Sequence, residues 1–141
     1  MGFIRDSDRL VIKQKLQAMR SEIALTYFTQ EIECDFCRET HELLEELCSI
    51  EEKLKLQVFD FRADQAEVQK YRIDKIPAIA VTNGKDPGIR FYGIPAGYEF
   101  SSLLDAILMV SEGESGLSPE SKMLLKEIKV PVHLQVFVTP T

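Results

Sequence analysis

Apolar positions recur along the chain with two different periods. Ile12, Leu16 and Met19 fall at i, i+4 and i+7 behind a capping Asp6 or Ser7, which predicts a helix over 7–20. The unbroken run Ile23-Ala24-Leu25-Thr26-Tyr27-Phe28-Thr29 has the length and β-rich composition of a buried strand. From 35 to 50 the period is helical again, with Phe36, Thr40, Leu43, Leu44 and Leu47 on one face. Leu56 to Phe61 alternates and reads as a strand, and Asp64 is placed to cap a brief helix through Tyr71. Pro77 opens the strand Ala78 to Thr82, which a glycine-containing loop joins to Ile89 to Tyr92 as a hairpin. Phe100, Leu103, Leu104, Ile107 and Leu108 then mark a strongly amphipathic helix.

The order is α–β–α–β–α–β–β–α. The first two strands, joined through a helix, are expected to run parallel, and the last two, joined by a short loop, antiparallel. The expected class is therefore α/β: a three-layer sandwich, its central mixed sheet covered by helices on both faces. This unit spans 1–112, and 113–117 is a connector with turn chemistry. Across 118–141 the pattern starts again. Ser118-Pro119 opens a helix carrying Leu124, Leu125 and Ile128, and Val132, Leu134, Val136 and Val138 alternate as a strand. This helix and strand repeat the first pair, down to Phe137-Val138-Thr139 against Tyr27-Phe28-Thr29. They read as the start of a second unit.

Charge narrows the functions. Seventeen Lys and Arg against 23 Asp and Glu give a net charge of −6, which argues against nucleic acid as a partner. Apolar runs such as Ile107 to Val110 are too short to span a bilayer. The first ten residues, broken by Arg5, Asp6, Asp8 and Arg9, carry no secretory h-region, so a cytoplasmic location is expected.

The chemistry centres on Cys34-Asp35-Phe36-Cys37. Three cysteines make a poor structural framework, whereas a C-x-x-C pair between a strand and a helix suits dithiol exchange. A helix N-terminus favours a thiolate. Cys34, the outer sulfur, is expected to attack, and Cys37 to resolve the mixed disulfide. Glu33 and Asp35 oppose activation of Cys34 while Arg38 favours it, with Phe36 completing the pair between the cysteines. That balance leans the site towards reduction or isomerisation. Cys48, about 16 Å along the same helix, is expected as a small core residue. His41 completes a Cys-x2-Cys-x3-His pattern, but a structural zinc site needs four ligands. No metal is expected. The alternative to an enzyme is a non-catalytic half-protein that docks through its C-terminal strand, which as an unpartnered strand also suggests a homodimer.

Several stretches are more specific than the cysteine pair. They are Met1-Gly2-Phe3-Ile4, Lys70 to Ala78 with Tyr71-Arg72-Ile73-Asp74, Phe91 to Phe100 with Gly93-Ile94-Pro95-Ala96-Gly97, and Val136 to Thr141. Together with the C-x-x-C they resemble the two-unit protein disulfide oxidoreductases, glutaredoxin-like proteins of thermophilic archaea and bacteria, over essentially the whole chain. The resemblance implies a thioredoxin fold in each unit. It implies that Pro77 is cis and faces the cysteines, and that the Ile76 backbone pairs with an extended substrate segment. The implied activity is on protein disulfides, with electrons from a thioredoxin-reductase-like flavoenzyme and no bound cofactor beyond the Cys34–Cys37 disulfide. Three departures stand out. A second motif would fall beyond Thr141, so one complete unit and the opening of a truncated second are expected. Asp35-Phe36 lacks the proline common in relatives. The strand before the motif lacks the buried carboxylate that thioredoxins keep, so proton transfer is left to water or another group.

Overall fold

The computed structural model describes residues 2–139. Met1, Pro140 and Thr141, which belong to the opening and closing stretches of the resemblance, lie outside the described residues. The elements are α1 (Asp6–Leu16), β1 (Ile23–Thr29), α2 (Cys37–Cys48), β2 (Leu54–Asp60), α3 (Gln65–Lys70), β3 (Ala78–Thr82), β4 (Arg90–Tyr92), α4 (Tyr98–Glu112) and α5 (Pro119–Leu125). The sheet order is β2-β1-β3-β4. β1 runs parallel to β2, with Ile23 opposite Leu54 and Thr29 opposite Asp60. It runs antiparallel to β3, with Phe28 opposite Ala78, and β3 pairs antiparallel with β4. This is the mixed sheet of an α/β sandwich.

The two faces of β1 go to two cores, because successive side chains of a strand point to opposite sides. Ile23, Leu25 and Tyr27 join the larger core with Ile12 and Leu16 of α1, Leu43, Leu44 and Leu47 of α2, and Leu103 and Ile107 of α4. Phe28 lies on the other face with Val68, Ile73 and Ala78. There its ring meets Phe59 at 5.6 Å and Tyr71 at 5.7 Å. Three helices thus load one face, while short α3 covers the other. α1 is tied to both neighbours: Lys15 Nζ reaches Asp105 at 2.6 Å and Arg9 Nη2 donates to Ser49 Oγ at 3.1 Å.

Two helix starts differ from expectation. The N-cap of α1 is Arg5, and neither Asp6 nor Ser7 caps it. α2 begins at Cys37 rather than at residue 35, because Phe36 takes the left-handed conformation, φ 65°. Asp64 and Ser118 do occupy N-cap positions, and the Ser118 hydroxyl accepts the Ser121 amide at 3.1 Å.

The predicted C-terminal strand does not form. After α5, which has no buried residue, positions 131–138 carry no strand pairing. Val132, Leu134 and Val136 are 60%, 85% and 86% exposed. The reason is physical: alternation marks a face suited to burial, but a strand also needs a neighbouring backbone to satisfy its amides and carbonyls. Residues 131–138 are paired to neither edge of the sheet.

Candidate functional site

β1 ends at Thr29 and the chain turns through 30–36 before α2. The Gln30 side-chain amide donates to the Ile32 carbonyl, and Glu33 and Phe36 hold positive φ, 57° and 65°. This left-handed turn brings Cys34 back over the start of α2. Cys34 and Cys37 are joined by a disulfide with Cα atoms 5.7 Å apart, inside the span such a bond requires. Cys37, the first residue of α2, is 3% exposed, whereas Cys34 is only partly covered. The pair is therefore asymmetric, with one accessible sulfur and one beneath it. Cys34 lies two residues ahead of the N-cap, not on the helix itself.

The charges named from sequence are distributed differently from their order along the chain. Glu33 forms an ion pair with Arg62 at 2.7 Å, across 29 residues. Arg62 is presented by the turn after β2, where the Asp60 carboxylate accepts the amides of Arg62 and Ala63, both at 2.8 Å. Those two amides hold Asp60 below its ordinary carboxyl range. Arg38 is engaged by Glu42 at 3.1 Å. Of the two carboxylates flanking Cys34, Glu33 is thus paired with a cation that local sequence does not reveal. Asp35 and Phe36 are both exposed beside the sulfur.

The Ile76–Pro77 bond is cis. Because Phe28 pairs with Ala78, the next residues outward, Thr29 and Pro77, share the end of the sheet from which the cysteine loop departs. The Pro77 carbonyl accepts the Gly93 amide at 2.9 Å. Among the described residues, the Ile76 amide and carbonyl have no hydrogen-bond partner in the protein.

Sequence reasoning missed Tyr27. Its ring is fully buried under α2, and its hydroxyl donates to the Cys37 carbonyl at 2.6 Å. Burial pushes its pKa up to about 12. The His41 ring meets it edge-on at 5.6 Å, and His41 Nε2 lies 3.2 Å from Glu45. Alternation marks Tyr27 as a core residue; only its hydroxyl, polar in an apolar strand, signals a further role. Tyr98, within the Phe91 to Phe100 stretch of the resemblance, is 86% exposed.

Cys48 is half-buried against the larger core and unpaired. Burial pushes its thiol up to about 12, so at pH 8 it stays protonated. Reduced protein treated briefly with iodoacetamide at pH 8 is expected to gain one adduct by intact mass, on Cys34, with Cys37 and Cys48 modified only after unfolding. Among the described residues no group of three or more His, Cys, Asp or Glu side chains could hold a metal ion, and no helix is long and apolar enough to cross a membrane.

No protein-family profile matches the chain. Among solved structures, it superposes on a protein disulfide oxidoreductase from Aeropyrum pernix with a TM-score of 0.88 and 27% identity, covering 96% of this chain and 60% of that one. A domain of an alkyl hydroperoxide reductase from Enterococcus faecalis superposes with a TM-score of 0.78 over 86% of this chain, at 24% identity, a likeness of fold. Among curated proteins, an NADH dehydrogenase of Bacillus subtilis is 27% identical over 92% of this chain. An alkyl hydroperoxide reductase component of Staphylococcus epidermidis is 38% identical over 49% of it. The chain spans 23% and 14% of the length of these two relatives. With its mixed four-stranded sheet, its helices on both faces and a disulfide at the mouth of α2, the chain has the thioredoxin fold and is similar along nearly all of its length to a protein disulfide oxidoreductase.

Proposed function

We propose that the chain is a thiol–disulfide oxidoreductase acting on protein disulfides, with Cys34 attacking and Cys37 resolving. The observation that carries this reading is the asymmetric Cys34–Cys37 disulfide, one sulfur reachable and the other buried at the first residue of α2. Reduced Cys34 attacks a client disulfide as its thiolate, one client sulfur leaves as a thiolate, and a mixed disulfide remains. Cys37 then gives up its proton and attacks Cys34 Sγ. The Cys34–Cys37 bond forms and the second client sulfur is released. Two electrons and two protons pass to the client in all.

The Ile76 backbone beside Pro77, unpaired among the described residues, supports a client bound as an extended segment. Glu33 in its pair with Arg62, together with Asp35, Phe36 and Arg38, then sets the reactivity of Cys34 from outside the bond. Electrons reaching the oxidised pair from a thioredoxin-reductase-like flavoenzyme fit a reading in which the protein binds no cofactor of its own and works in the cytoplasm. The names of the relatives, an NADH dehydrogenase and a hydroperoxide reductase component, are in keeping with such a donor.

The test is reduction of insulin in dithiothreitol. The wild-type chain is expected to accelerate precipitation of the insulin B chain, and Cys34→Ser to fall to the uncatalysed rate. Equal rates for the two would remove the enzymatic reading. A second reading, a docking module, is favoured by one observation, the exposed apolar side chains from Met123 to Val138. In that case Cys34→Ser would leave binding intact, and a homodimer formed through this segment would sediment as such at high concentration.

A further inference from the structure

We propose that Tyr27 is the positioning residue of the redox pair, its buried hydroxyl holding the backbone of Cys37 so that the inner sulfur stays within reach of Cys34. The inference rests on the thiol–disulfide reading above and deepens it.

Three observations converge on this tyrosine. It is the largest of the fully buried side chains, and its hydroxyl is delivered from β1 to the first turn of α2. In a helix the Cys37 carbonyl also takes the amide four residues on, that of His41. The phenol therefore occupies the carbonyl's remaining lone pair. Finally, the Tyr27 ring packs edge-on against His41, one turn further along α2. One side chain thus grips two successive turns of the helix that carries the inner sulfur.

The need for such a grip is local. α2 has no side-chain cap, and its N-cap is Phe36 in a left-handed conformation, so the first turn is not fixed by the usual Ser, Thr, Asp or Asn. The Thr40 hydroxyl donating to the Phe36 carbonyl at 2.6 Å ties the same turn from above, and Tyr27 ties it from below. When the disulfide opens, the covalent constraint on Cys37 is lost and these contacts remain. Cys37 has to attack a sulfur on the neighbouring loop, and intramolecular attack depends steeply on position. The hydroxyl is neutral at working pH, so it orients Cys37 without setting a charge beneath it.

The test separates the two chemical steps in Tyr27→Phe, which keeps the ring and deletes the donor. The rate at which reduced Cys34 reacts with iodoacetamide should match the wild type. Resolution of a pre-formed mixed disulfide between Cys34 and a client peptide should slow by about 10- to 100-fold. The equilibrium between the internal disulfide and glutathione should move towards the open form by a comparable factor. A variant that resolves the mixed disulfide at the wild-type rate overturns the proposal. So does one in which Cys34 alkylation slows as much as resolution, since the change would then be general to the loop.

If Tyr27→Phe does not fold, the wild-type chain decides the matter by NMR. A slowly exchanging Tyr27 hydroxyl proton with cross-peaks to Cys37 is expected in both the oxidised and the reduced protein. Its absence from the reduced protein overturns the proposal. Failure of the wild-type chain to reduce insulin would instead remove the reading beneath it, so the two failures are distinguishable.

Discussion

Cys37→Ser is expected to accumulate as a covalent adduct with its client, seen as a band on a non-reducing gel that dithiothreitol dissolves. The geometry gives the reason. Cys34 is the reachable sulfur, so first attack survives the substitution. Cys37, 3% exposed, is the sulfur poised to release the client, and a serine hydroxyl cannot take its place. Only external thiol then remains to cleave the adduct. Well-oriented intramolecular attack corresponds to effective concentrations far above any reagent's, so the adduct should outlive its wild-type counterpart by at least about 100-fold. Cys34→Ser should trap nothing, because Cys37 is covered and the half-buried Cys48 thiol is held protonated. The reverse pattern, adducts on Cys37 and none on Cys34, would exchange the two roles and undo the assignment.

The second large effect concerns stability. Phe28→Ala is expected to destabilise the fold by about 3–5 kcal/mol, measured as a lower urea midpoint with little change in slope. Phe28 is fully buried and is the central ring of the smaller core, between Phe59 and Tyr71. Short α3 is what closes that core, and Val68 is its one buried helix residue. With so few side chains on this face, little is available to collapse into the space a lost ring would leave. Phe28 also pairs with Ala78, the residue after Pro77, so the cavity would open beside the end of the sheet that carries the cysteines. Loss of a residue such as Leu44 from the larger core, where three helices meet, leaves more neighbours able to relax. A cost for Phe28→Ala below about 1 kcal/mol would mean that α3 does not seal this face.

The period of the apolar residues carried most of this architecture. β1 and β3 start and end where their composition predicts, because both are buried on two sides and bounded by turn residues. The parallel pairing of β1 with β2 and the antiparallel pairing of β3 with β4 follow from what lies between those strands, whereas the antiparallel pairing of β1 with β3 does not. Helix starts were less legible. That of α2 depends on Phe36 adopting a left-handed conformation, which nothing in the type of residue announces. The strand expected at 132–138 failed for a different reason: alternation describes one chain, whereas a strand is a property of two. At the site, Cys34, Cys37, Ile76 and Pro77 stood out through spacing or resemblance. Arg62 and Tyr27 did not, since each acts through a contact made only by folding, an ion pair over 29 residues and a hydroxyl aimed across a layer.

The left-handed residue between the cysteines also restricts how this loop can be redesigned. Proline closes φ near −65°, about 130° away from the 65° that Phe36 adopts. Grafting a proline from a related motif into position 36 would therefore swing the accessible sulfur off its mate instead of adjusting its potential. Glycine, which visits this region freely, is the replacement the backbone accepts there. For an engineer, the potential is more safely tuned from Arg62 and Glu33, whose side chains can be exchanged with the main chain left where it is.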